Sequence, residues 1–115
     1  ADTIGVNGWP IEAHVAGSVE FRWHRGEHPR GFHQLPYRMI VPRGIDNLFV
    51  AGRCASMTHE GQSSGRVTGP CFAMGEAAGT AADLMLSGGT TTANVDVAAL
   101  QAALEKHGAY LGQDL

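Results

Sequence analysis

The sequence predicts an α/β fold. Three features predict it: Leu48 to Ala51 is an apolar run without alternation, Arg53 to Gly69 is a polar stretch, and Pro70 to Leu86 is a long run of small and apolar residues. An unbroken apolar run suits a strand covered on both faces. Strand, polar loop and helix in that order can bring a backbone turn, charged side chains and a helix N-terminus to one extended anionic ligand.

From the N-terminus, Ile11, Ala13 and Val15 and then Val19, Phe21 and Trp23 alternate on either side of Gly17-Ser18, which predicts a β-hairpin or two adjacent strands within 8–25. Residues 26–32 read as a turn-rich loop, and Tyr37 to Val41 as a further strand ended by a Pro42-Arg43-Gly44 turn. After the strand at Leu48, the stretch Arg53 to Gly69 holds Arg53, His59, Glu60, Gln62, Ser63, Ser64, Arg66 and Thr68, which is more chemistry than a plain connector carries. Pro70 suits the first helical position, where its missing N–H costs nothing. Gly75, Ala78, Gly79 and Ala82 then predict a helix face that packs close against the sheet. Gly88-Gly89 and the three threonines after it read as a flexible connector that lets the last helix dock loosely. That helix is predicted to start at an Asp96 cap, to carry Val97, Leu100 and Leu104 on one stripe, and to stop at Gly108.

Composition narrows the function. The chain has 115 residues, 43% hydrophobic and 17% charged, which is ordinary globular composition, and its net charge of −3 argues against nucleic acid. Glu76 and Asp83 interrupt a helix already too short for a membrane span. No signal peptide or polybasic tail is visible, which favours the cytoplasm. The two cysteines, Cys54 and Cys71, make no C-x-x-C pair, so no redox dithiol is predicted. Cys71 reads either as a small buried thiol or as a thiolate favoured by the helix dipole. Of the six histidines only His24 and His28 lie close together, and without a carboxylate at fitting spacing no metal site is predicted. All seven arginines fall between Arg22 and Arg66. A guanidinium fork suits carboxylate or phosphate, whereas ordinary pairing with Glu12, Glu20, Glu27 or Glu60 is the plainer account of each except Arg53 and Arg66, which stand apart by position.

Four blocks carry a family resemblance: Leu35-Pro36-Tyr37-Arg38-Met39-Ile40-Val41-Pro42, Asp46 through Cys54, Thr58-His59-Glu60 through Arg66, and Ala73-Met74-Gly75-Glu76-Ala77-Ala78-Gly79-Thr80-Ala81-Ala82. In this order and spacing the chain resembles the C-terminal part of the FAD-dependent oxidoreductases, a branch of the two-dinucleotide-binding-domain flavoproteins. No G-x-G-x-x-G occurs, so the usual grip on the FAD pyrophosphate is absent. The resemblance therefore implies the C-terminal segment of an FAD/NAD(P)-binding-type domain, with a few β-strands of the substrate domain. It divides the chain into 1–45, the end of the substrate-domain β region, and 46–115, the C-terminal part of the FAD-binding domain. The implied cofactor is FAD, and the implied partners are the N-terminal dinucleotide-binding part of the flavoprotein and a small-molecule substrate. The chain alone is expected to be inactive. A non-enzymatic binding or assembly module, and an α/β domain for another phosphorylated ligand, are the alternatives.

The resemblance also implies roles for residues. Charge that develops over N1 and the C2 carbonyl of a reduced flavin would meet the helix N-terminus, with Cys71, Phe72 and Ala73 as N–H donors and Gly69 allowing close approach. Gly52-Arg53 occupies the place of a glycine and a ribityl-binding acid in similar flavoproteins. Arginine cannot accept that bond, so Arg53 is expected at phosphate oxygens or an acidic neighbour, with the backbone of Gly52, Arg53 and Cys54 at the ribityl phosphate. By looser similarity to fumarate-reductase-like flavoproteins, His59 and Arg66 would face the flavin and hold or protonate a carboxylate substrate, oriented by Glu60. A structural clamp at Arg66 and a hydrogen-bonded core histidine at His59 are the alternative. His14, two residues after Glu12, matches a histidine the family has after an acid, usually aspartate.

Overall fold

Residues 2–23 and 31–112 are described by the structure, a computed structural model, and among them three α-helices and two small antiparallel sheets form an α/β domain. The first sheet pairs β1 (Thr3–Asn7) with β4 (His33–Pro36). The second is the expected hairpin, β2 (Ile11–Val15) with β3 (Ser18–Arg22). Its two-residue turn is Ala16-Gly17, with φ of 39° and 81°, the left-handed geometry whose twist matches a tight hairpin. Residues 24–30, including His24 and His28, lie outside the described residues.

Two predicted strands are corrected. Tyr37–Ile40 is a 3₁₀ turn, because Pro36 has no N–H with which to extend the ladder and the Tyr37 N–H donates to the Asp2 carbonyl instead. Tyr37, Met39 and Ile40 all turn inward, a spacing that a strand's alternation cannot give. Leu48 to Ala51 is extended but not a strand: Val50 N–H bonds the Ile40 carbonyl at 3.0 Å, and among the described residues no strand lies alongside to complete a ladder.

The polar stretch is also more ordered than a loop. It opens with a 3₁₀ turn over Gly52–Cys54 and contains α1 (His59–Gly65), whose first turn is capped by the Thr58 hydroxyl accepting from Gly61 N–H at 3.0 Å. The long helix α2 (Thr68–Gly88) starts two residues before Pro70, which still falls in the first turn. Its inward face is Pro70, Met74, Ala77, Ala81 and Met85. Gly75 and Gly79 instead face outward, with open space where a Cβ would stand. Close approach to the sheet is achieved from the other side, since a Cβ on Gly5 of β1 would lie 3.1 Å from that of Ala73.

The connector after α2 is fixed rather than flexible. Gly89 ends the helix at φ 60°, and buried Thr92 donates its N–H to the Asp46 carbonyl and its hydroxyl to that of Ile45, while accepting from the Tyr37 hydroxyl. Burial pushes the Tyr37 phenol up to about 12. As predicted, Asp96 caps α3 (Val97–Lys106) by accepting from Ala99 N–H, and Gly108 follows it at φ 92°. Leu100 and Leu104 are fully buried, so α3 is firmly docked. One core joins Ile4, Leu35 and Ile40 to Met74, Leu100 and Leu104, so apolar contacts run across position 45. Among the described residues no helix is long and apolar enough to cross a membrane.

Candidate active site

Beside the packing of α1 on the hairpin, two buried polar side chains tie α1 to the end of β1 and to the connector that leads into β2. Asn7 Nδ2 donates to Ser64 Oγ at 2.9 Å, and Ser64 Oγ donates to the Trp9 carbonyl at 2.6 Å. Asn7 ends β1 a few residues ahead of β2, and Ser64 precedes Arg66 by two residues; between α1 and the hairpin lies a cavity of about 470 Å³. From α1 and its C-cap come His59, Glu60 and Arg66, and from the hairpin Glu12, His14 and Arg22.

His59 and Arg66 thus line one cavity, and Glu60 lines it with them. The carboxylate that meets Arg66 is nevertheless not Glu60. Arg66 Nη2 lies 3.6 Å from Glu12 Oε2, while the other Glu12 oxygen accepts from Trp9 Nε1 at 2.8 Å. Arg66 therefore does not escape ordinary ion pairing, contrary to its reading from position. At 3.6 Å the pair is an ion pair without a short hydrogen bond, and the Arg66 side chain stays two-fifths exposed. The cavity thus gathers two guanidinium groups, two imidazoles and two carboxylates.

The residues expected at the cofactor divide differently. Gly52, at φ 65°, sits against the first turn of α2, where a Cβ would stand 3.5 Å from Cys71 Sγ. Gly69 is exposed, with nothing near the place of its absent Cβ, so backbone there is open to close approach. Arg53 and Cys54 are exposed, and among the described residues Arg53 has no carboxylate partner.

The predicted N–H donors need correction. Because α2 begins at Thr68, the Cys71 N–H already bonds the Val67 carbonyl at 3.3 Å, and helical geometry commits those of Phe72 and Ala73 one turn back. The open first-turn donors are Thr68 and Gly69. Phe72 is largely exposed, and Ala73 faces Gly5. Cys71 is half-buried, its thiol directed at the Arg66 and Gly65 carbonyls at 3.5 and 3.9 Å, and Cys54 and Cys71 are both unbridged.

Sequence reasoning did not bring Glu12 to Arg66; it named Ser64 among the polar residues of the loop without giving it a role, and it missed Asn7. The Trp-x-x-Glu spacing was visible, but no local pattern says that a strand will lie beside a helix half a chain away. A larger open groove of about 710 Å³, lined by Arg38, Arg43 and Cys54 among others, lies beside the 3₁₀ turn at Tyr37.

No curated protein and no solved structure matches the chain. A family model described as FAD dependent oxidoreductase matches residues 1–104. The four sequence blocks lie wholly within that span, and the chain belongs to the FAD-dependent oxidoreductase family.

Proposed function

We propose that this chain supplies part of the flavin site and one side of the substrate site of an FAD-dependent oxidoreductase, completed by an N-terminal dinucleotide-binding part. On this reading 1–45 ends the substrate domain and 46–115 is the C-terminal part of the FAD-binding domain. The observation that carries it is the cavity between hairpin and α1, in which Arg66 and His59 stand together within a chain of this family.

The donor set fits the cofactor. The left-handed Gly52 turn lies against the start of α2, whose Thr68 and Gly69 N–H groups are open and whose Gly69 leaves room for a ligand. Gly52, Arg53, Cys54 and Gly69 would hold FAD, with the exposed Arg53 addressing phosphate. FAD, when bound, supplies hydride acceptance and donation. The Arg66 fork binds and orients a carboxylate of the substrate, and His59 holds or delivers a proton beside it.

The visible spectrum of the complete flavoprotein is the direct test. Flavin bands that diminish when Gly69→Val closes the approach to α2 support the reading, and a colourless holoprotein overturns it.

A further inference from the structure

The ion pair beneath Arg66 has a second member behind it. Glu12 divides its two oxygens, Oε1 accepting from Trp9 Nε1 at 2.8 Å and Oε2 facing Arg66 Nη2 at 3.6 Å. Trp9 is itself held twice over: its N–H donates to Asn7 Oδ1 at 3.0 Å, and its carbonyl accepts from Ser64. Its ring also meets Phe21 of β3 edge-to-face, with centroids 6.5 Å apart. The Glu12 carboxylate is thus held at one oxygen by Trp9, and its other oxygen faces the guanidinium.

We propose that Glu12, anchored by the Trp9 indole N–H, is a positioning residue for Arg66 and fixes the direction in which its fork meets a carboxylate ligand. This rests on the reading of Arg66 as the anion-binding side chain. The geometry fits that task better than a permanent clamp. Glu12 approaches one terminal nitrogen from beyond hydrogen-bond distance, which leaves the other N–H groups of the fork to take a carboxylate in bidentate fashion. The Glu12 side chain is largely buried and the Arg66 side chain much less so, as an anchored base and a working tip require. Ser64 ties Trp9 to the helix that precedes Arg66, so the anchor and the backbone that carries the arginine are joined directly.

The test is a double-mutant cycle in the complete flavin-loaded protein, with oxalate as probe and its affinity read by titration calorimetry. Trp9→Phe keeps an aromatic ring and both charges but removes the indole donor. Glu12→Asp keeps the charge but withdraws it by one methylene. Each is expected to weaken oxalate binding about three- to tenfold, the scale of one lost hydrogen bond. In an Arg66→Met background neither should have any further effect. Equal weakening with and without Arg66 would mean that Trp9 acts through the fold alone, and overturns the proposal. Weakening by Arg66→Met with none from Trp9→Phe or Glu12→Asp overturns the positioning role while leaving the anion site standing. Absent oxalate binding, or binding indifferent to Arg66→Met, removes both.

Discussion

Asn7 and Ser64 stand 57 positions apart in the chain and meet through a 2.9 Å hydrogen bond with both side chains buried. The serine passes its own proton to the Trp9 carbonyl, so neither side chain can be replaced without stranding a partner. Through this contact α1 is tied to the end of β1, just ahead of the hairpin.

Ser64→Ala is therefore expected to destabilise the fold by about 1–3 kcal/mol, because the buried Asn7 amide is left unsatisfied. Denaturant unfolding of the two proteins measures it. A loss within a few tenths of a kcal/mol would mean that water reaches Asn7.

Arg66→Lys in the complete enzyme should retain fold and flavin yet lose turnover, by roughly 2–4 kcal/mol of transition-state stabilisation, since a point ammonium cannot reproduce a planar fork. Rate per bound flavin is the measurement. If Arg66 were only a clamp between α1 and Glu12, flavin content or thermal stability would fall first and the rate per flavin would hold.

Gly79→Ala is expected to stabilise α2 by about 0.5–1 kcal/mol in this chain, since the position is helical, exposed and open. A fall in melting temperature would show that Gly79 is covered in the molecule measured. The sequence misled here for an identifiable reason: glycine and alanine alternate along α2, and small size alone does not say which stripe faces inward. Met74 and Met85 mark the true face, on one stripe with Ala77 and Ala81.

Tyr37 makes an alkaline prediction. Its phenol is raised from 10.0 to about 12 by burial, so the neutral form is the one the fold favours. The stability it contributes is complete below pH 10 and is lost as pH rises through about 12. Subtracting the stability profile of Tyr37→Phe from that of the parent isolates this limb. Identical alkaline profiles would exclude it.

Without a glycine-rich phosphate turn, the 115-residue chain alone is expected to bind FAD no better than micromolar, because part of the cradle is missing. Equilibrium dialysis measures it, and submicromolar binding would contradict the division of the site between two parts.

How much was legible follows from the range of the forces involved. The hairpin, the Asp96 cap, the α3 stripe and the long helix are set by neighbours within a few residues, and each was readable. Tyr37–Ile40 was not, because its backbone is captured by Asp2, far away in sequence. The apolar run at Leu48 has strand composition, but a strand also needs a neighbouring strand, which no stretch of sequence can announce by itself. In the candidate site, His59 and Arg66 were singled out through the family blocks, whereas Glu12 and Trp9 meet Arg66 only once the chain between them has folded back.

That contact also sets where the molecule opens first. Every residue of β3 is exposed, and the hairpin shares none of the fully buried aliphatic core; what holds it is its packing on α1, the Glu12–Arg66 ion pair, and the Ser64 bonds to Asn7 and Trp9 just ahead of it. Such an attachment can release while the α2–α3 core stays intact, as a sub-global opening of low free energy. Amide protons of β2 and β3 should then exchange well before those of α2. The cavity between hairpin and α1 would come apart as a unit at temperatures where most of the protein still reads as folded.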